Sequence, residues 1–270
     1  MALLLAAASI WWLLSNYEEA TRQHVSDLSS SANADIVFIG SSLTATALPS
    51  TESVGGVLGQ GRSCAMLAVP AISERNSNRL LANAIDGGAL IIFVEINAYA
   101  HDHADLIEPL ALRAMVDGLS GAGYRLAMSA KEALKISPLP KFDTKCAAPS
   151  TTLNLDTERL APSAFYGFQE IEPSYPDELE RLLARAREAG AEVMFISPPR
   201  PQSLVNELGE EEFAALLAHI RHLAEEYGVP VWYSPQPWPD DHFMDILAHT
   251  NELGRARFQR ELAEWYEARQ

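Results

Sequence analysis

The sequence contains few cysteines and few basic residues, and each shortage excludes a class of protein. Two cysteines, Cys64 and Cys146, in 270 residues are too few for a disulfide-rich scaffold or a cysteine-rich zinc site. They leave open one disulfide in an oxidising compartment or two buried free thiols. Lysine and arginine total 20 against 36 acidic residues, a formal charge of −16. This sign excludes a free nucleic-acid-binding protein, and any attachment to an anionic membrane has to be hydrophobic.

Several short motifs that mark enzyme classes are also missing from the sequence. It contains no Walker loop, no His-Glu-x-x-His motif and no Gly-x-Ser-x-Gly elbow. Gly59 and Gly61 lack the third glycine of a dinucleotide fingerprint and precede a strand instead of following one. His101 and His103 form a His-x-His pair, but the sequence places no third ligand beside them. We therefore expect neither a cofactor nor a metal ion.

The N-terminus carries the most pronounced apolar run. Residues 2–14 include Ser9 as their single polar member, and the first charged side chain is Glu18. A helix over 1–17 would span about 26 Å, against roughly 30 Å of membrane hydrocarbon. We predict an uncleaved membrane anchor over 1–17 and a stalk over 18–34, with the rest of the chain in the periplasm on an inner-membrane anchor. A cleaved signal peptide and a helix buried on the domain are the alternatives.

The remainder of the chain has the pattern of an α/β domain. Five short apolar runs predict strands over 35–40, 63–70, 89–97, 191–197 and 229–234, and helices are predicted over 72–88, 175–190, 210–228 and 251–269. Because most of the strands are apolar throughout, both faces of the sheet should be covered. We predict a three-layer α/β/α sandwich with a mainly parallel five-stranded sheet of the flavodoxin-like kind. This single domain, 35–270, holds a less regular insertion over about 98–172.

Side chains suited to catalysis follow the predicted strands. Ser42 follows the first strand, Asn97 ends the third, and Asp245 and His249 follow the fifth. The carboxyl ends of parallel strands share one edge of the sheet, where ligands bind in such folds. Glu95 alternates with Asn97 at i, i+2, so it should point toward or under the same place. A serine, a histidine, a carboxylate and an amide are the parts of a nucleophilic hydrolase.

The order and spacing of these residues resemble the SGNH (GDSL-like) hydrolases. The sequence from Phe38 to Ser42 is similar to the first block of that family, with Gly-Asp-Ser replaced by Gly40-Ser41-Ser42. The segment from Asp245 through His249 to Gly254 is similar to the last block. The resemblance implies that Ser42 is the nucleophile, His249 the general base and Asp245 the residue that orients it.

The resemblance also implies an oxyanion hole. Asn97 stands where the family has an oxyanion asparagine, and Ala71 stands where it has a glycine that donates its backbone N–H. The spacing of four between Asp245 and His249, where the family has three, keeps Asp241 as an alternative partner of the histidine. A pair formed by Asp240 and His242 is a second alternative. Ser42 and His249 could instead serve only as helix caps.

The resemblance further implies a function for the extracytoplasmic domain. Anchored relatives often acetylate extracellular polysaccharides, so we expect a serine esterase or O-acyltransferase acting on O-acetyl esters through an acyl-serine. Its partners would then be an acylated small molecule or carbohydrate, the membrane, and a membrane acyltransferase. The alternative from another class is a catalytically inactive accessory protein that binds a partner or a glycan. A lipid-active esterase is a third alternative.

Overall fold

The structure, a computed structural model, describes residues 32–48, 61–69, 72–100, 173, 175–244 and 248–270. The predicted anchor over 1–17, nearly all of the stalk and most of the insertion lie outside these residues. In the part of the chain that is described, every helix is too short or too polar to cross a membrane.

The five predicted strands form one parallel sheet. The strands are β1 (Ile36–Gly40), β2 (Cys64–Ala68), β3 (Ile91–Glu95), β4 (Glu192–Ser197) and β5 (Val231–Tyr233). Their order is β2-β1-β3-β4-β5, and each neighbouring pair is parallel. The chain therefore starts in the interior of the sheet, moves to one edge and then returns past β1 to the other edge. This arrangement confirms the predicted parallel sheet.

Helices connect and follow the strands. They are α1 (Ser42–Ala47), α2 (Glu74–Asp86), α3 (Asn97–Ala100), α4 (Pro176–Glu188), α5 (Gln202–Leu208), α6 (Glu210–Glu226) and α7 (Glu252–Glu267). One difference from the predicted elements matters for the site. Strand β3 stops at Glu95, so Asn97 begins the short helix α3 and does not end the strand. Helix α5 was not expected from the sequence.

Both faces of the sheet are buried against helices. On one face Val37 and Ile39 belong to a cluster that includes residues of α2, α4 and α6. On the other face Ile36 and Phe38 pack with residues of α1 and α7. All five residues of β1 are buried, which is the physical reason why the strands lack polar alternation. The architecture is thus the predicted three-layer α/β/α sandwich.

One of the two cysteines lies at the edge of the sheet. Cys64 begins β2 and is disulfide-bonded. Of the two alternatives left open by the sequence, a disulfide or two free thiols, the structure has the disulfide. Cys146 lies outside the described residues.

Candidate active site

The structure brings Ser42 and His249 together at the carboxyl end of β1. The Oγ atom of Ser42 lies 3.0 Å from Nε2 of His249, although the two residues are 207 positions apart. Ser42 is half-buried and His249 is 4% exposed. A hydroxyl within hydrogen-bond distance of an imidazole is the arrangement by which a general base activates a serine nucleophile.

The turn after β1 leaves Ser42 free of a capping role. The N-cap of α1 is Ser41, whose side chain accepts a hydrogen bond of 3.1 Å from the backbone N–H of Leu43. Ser42 is the first residue of the helix, so its hydroxyl can face His249. The alternative in which Ser42 serves only as a cap is therefore wrong.

His249 is held by the residues on either side of it. Ala248 has a φ of 70°, a left-handed conformation that is uncommon for a residue with a Cβ atom. The hydroxyl of Thr250 donates to the carbonyl of Thr46 at the end of α1, at 2.6 Å. The carbonyl of His249 accepts from the backbone N–H of Met244 at 2.7 Å. The histidine loop is thus attached directly to the helix that carries Ser42.

The residue that caps α7 is Asn251, so the alternative of a capping role for His249 is wrong. The Oδ1 atom of Asn251 accepts from the backbone N–H groups of Leu253 and Gly254, at 2.9 and 3.1 Å. Its Nδ2 atom donates to the carbonyls of Asp241 and Phe243, at 2.7 and 3.2 Å. The start of α7 and the loop before it therefore form one hydrogen-bonded unit.

The aspartates that could orient His249 are only partly described. The carboxylate of Asp241 lies 2.8 Å from Nδ1 of His242, and so it is hydrogen-bonded to that histidine rather than to His249. Nδ1 of His242 is bonded to Asp241, and the carboxylate of Asp240 accepts instead from the backbone N–H of Ser203 at 2.9 Å, so the alternative pair of Asp240 and His242 is not formed. Asp245 lies outside the described residues, and its role stays a prediction.

A buried carboxylate lies beside the nucleophile turn, and the sequence does not predict its contacts. Glu95 is 1% exposed, and its Oε2 atom accepts from the backbone N–H of Ser41 at 2.7 Å and from the hydroxyl of Thr44 at 2.5 Å. The hydroxyl of Ser41 lies within 2.9 Å of both carboxylate oxygens. The Nδ2 atom of Asn97 donates to Oε1 at 3.0 Å. Alternation had placed Glu95 near the site, but no local pattern pointed to Ser41 or Thr44.

Asn97 is in position to present an amide at this end of the sheet. It is 2% exposed, and one N–H of its amide is used by Glu95. An amide nitrogen has two N–H groups, so a second donor remains. The other predicted oxyanion donor, Ala71, lies outside the described residues.

In the described part of the chain, no three His, Cys, Asp or Glu side chains are grouped so that they could hold a metal ion.

Comparisons with known proteins add little to this geometry. No family model matches the chain, and no curated protein matches it. A solved structure, that of a GDSL-like lipase from Bacteroides thetaiotaomicron, is 9% identical in sequence, covers 87% of this chain and 88% of its own, and aligns with a TM-score of 0.40. A likeness this distant carries no argument about function, which has to be inferred from the site itself.

Proposed function

We propose that this protein is a serine esterase or O-acyltransferase of the SGNH type. The observation that carries the proposal is the 3.0 Å distance between Ser42 Oγ and His249 Nε2 at the carboxyl end of a parallel sheet. An inactive accessory protein would have no need to keep these two side chains within hydrogen-bond distance. The geometry therefore favours an enzyme over that alternative.

The proposed reaction is acyl transfer through a covalent acyl-serine. Ser42 Oγ attacks the ester carbonyl carbon while His249 takes the hydroxyl proton, and the proton then goes to the departing alcohol as the C–O bond breaks. Water or an acceptor hydroxyl next attacks the acyl-serine and gives its proton to His249, which passes that proton to Ser42 Oγ as the bond between the acyl carbon and Oγ breaks. Asp245 is the proposed partner of the imidazole. The N–H groups of Ser42, Ala71 and Asn97 are the proposed donors to the oxyanion.

We also propose where the enzyme acts and on what. The apolar run over residues 1–17 supports a membrane anchor, with the α/β domain in the periplasm. The disulfide at Cys64 is in keeping with an oxidising compartment. The proposed substrate is an O-acetyl ester, with a polysaccharide as donor or acceptor of the acyl group and a membrane acyltransferase as a partner. These finer points rest on the resemblance described from the sequence.

Labelling with a fluorophosphonate probe tests the catalytic proposal. The full chain in detergent is expected to be labelled, and Ser42→Ala and His249→Ala should each abolish labelling. Ser203→Ala and His222→Ala are the matched controls, because they remove a half-buried serine and an exposed histidine outside the site, and they should label normally. A folded wild-type protein that is not labelled, or a Ser42→Ala variant that still is, would overturn the proposal.

A further inference from the structure

Glu95 is a buried charged group for which the proposed chemistry has no step. It is the last residue of β3, and four donors converge on its carboxylate: the backbone N–H and hydroxyl of Ser41, the hydroxyl of Thr44 and the amide of Asn97. Burying a carboxylate is costly unless it is fully hydrogen-bonded. An ionised carboxylate only accepts hydrogen bonds, and it has room for about four. The four donors therefore match what this side chain needs when it is ionised.

We propose that Glu95 is a positioning residue for the proposed acyl transfer, and that its carboxylate sets both the nucleophile turn and the orientation of the oxyanion amide. The inference rests on the proposed function. Two of its contacts fix the backbone immediately before Ser42, because both the N–H and the hydroxyl of Ser41 bind the same carboxylate. A third contact fixes Asn97. The side chain of Glu95 thus links the turn before Ser42 to Asn97, so that the nucleophile and the oxyanion amide are held in fixed relative positions.

The local sequence is fitted to this carboxylate. A Cβ atom at Gly40 would lie 2.7 Å from Oε2 of Glu95 and would overlap the hydroxyl of Thr44. Only glycine leaves room there for the carboxylate and its donors. Gly40 is therefore required by the close approach of Glu95 as well as by that of Thr44.

The carboxylate also decides which end of the Asn97 amide faces it. An acceptor-only group requires the Nδ2 end, and Oδ1 is accordingly turned away and has no hydrogen-bond partner among the described residues. A glutamine in place of Glu95 would present its own N–H₂ group either to the N–H of Ser41 or to the amide of Asn97. One of the two donors then loses its acceptor, or the Asn97 amide turns over and withdraws its N–H groups. Glu95→Gln should thus disturb the site while keeping the shape of the side chain.

The test compares catalysis in Glu95→Gln with catalysis in a matched control. For the full chain we would measure the fluorophosphonate labelling rate, and kcat and KM for 4-nitrophenyl acetate across pH. Glu95→Gln should lower kcat and the labelling rate by about 100-fold, in the range seen when one oxyanion donor is lost. The KM and the midpoint of the pH profile should stay near the wild-type values, as expected when only the transition state is affected. The control, Ser77→Ala, removes a different buried hydrogen bond, to Tyr99, and should leave kcat unchanged.

A double variant separates positioning from a merely structural role. Glu95→Gln with Asn97→Asp restores a carboxylate-to-amide hydrogen bond in the reverse direction, but it leaves no N–H on the side chain of residue 97. We expect it to recover thermal stability relative to Glu95→Gln and not to recover kcat. Recovery of kcat in the double variant would overturn the inference. So would a wild-type kcat in Glu95→Gln, an equal loss in Ser77→Ala, or a shifted pH midpoint, which would mean that Glu95 acts on His249 through its charge.

Failure of the positioning role can be distinguished from failure of the proposed function. If wild-type protein is labelled at Ser42 and Glu95→Gln is labelled equally fast, the positioning role is wrong and the proposed function stands. If folded wild-type protein is not labelled at all, the proposed function fails and the positioning role fails with it.

Discussion

The two halves of the candidate site are held in place by different means. On the serine side, defined as residues 40–44 with Glu95 and Asn97, a single buried carboxylate accepts from four donors. On the histidine side, defined as residues 240–244 and 248–255, a hydroxyl, an amide and a guanidinium group donate to several separate backbone carbonyls. The first arrangement concentrates the constraint in one charged group, whereas the second distributes it. Removal of the Glu95 side chain should therefore lower the free energy of unfolding much more than removal of one side chain on the histidine side.

The largest effect on stability is expected from Glu95→Ala. Four donors would lose their acceptor together, and two of them belong to the turn before Ser42. Buried donors without acceptors cost about 1–3 kcal/mol each, although water entering the space left by the side chain would offset part of the loss. We expect the free energy of unfolding to fall by about 3 kcal/mol or more, measured by urea denaturation at constant m-value. If the free energy of unfolding falls by less than about 1 kcal/mol, the serine side tolerates the loss of one side chain as well as the histidine side does.

A smaller loss is expected from Asn251→Ala on the histidine side. This change removes the N-cap of α7, whose loss typically costs about 0.5–2 kcal/mol, and it removes the two Nδ2 bonds to the loop before the helix. Asn251→Asp is the matched variant, because its side chain still caps the helix and lacks only the donors. We expect Asn251→Asp to retain more than half of the stability that Asn251→Ala loses. An equal loss in the two variants would show that the cap contributes nothing.

The sequence predicts some parts of this site and not others, and there is a physical reason for the division. The strands follow from local apolar runs, and the approach of Ser42 and His249 follows from their places after parallel strands. The supporting contacts depend instead on segments that are distant in the chain. Ser41 and Glu95 are 54 residues apart, and Thr46 and Thr250 are 204 apart. No periodicity marks such pairs, because each is set by the three-dimensional packing of α1 against β3 or α7.

The same reason explains the one element boundary that changed the interpretation of the site. The apolar run is interrupted by Glu95 and resumes at Ile96, so the sequence alone extends the third strand to Asn97. In the structure, pairing with β4 ends at Glu95, and the chain turns into α3 with Asn97 as its first residue. Glu95 and Asn97 nonetheless stay within hydrogen-bond distance, and their two side chains bind each other. Alternation therefore gave the right neighbours although the strand was predicted too long.

The smallest effect is expected from Thr250→Val, which removes one hydroxyl group and keeps the shape of the side chain. The carbonyl of Thr46 would lose its 2.6 Å bond from Thr250, but it still accepts from Nε of Arg255 at 3.2 Å. Burial lowers the pKa of the Arg255 guanidinium, which nevertheless remains charged at neutral pH and keeps its donors. We expect a loss of about 0.5–1.5 kcal/mol in urea denaturation and a labelling rate within about threefold of wild type.

Removal of the second donor as well makes this comparison sharper. Thr250→Val combined with Arg255→Met leaves the buried Thr46 carbonyl without either donor, so the loss should exceed the sum of the two single losses. Such coupling is what a distributed arrangement predicts, because each bond compensates for the other. If Thr250→Val alone cost as much as Glu95→Ala, the histidine side would depend on a single contact too, and the contrast between the two halves of the site would be wrong.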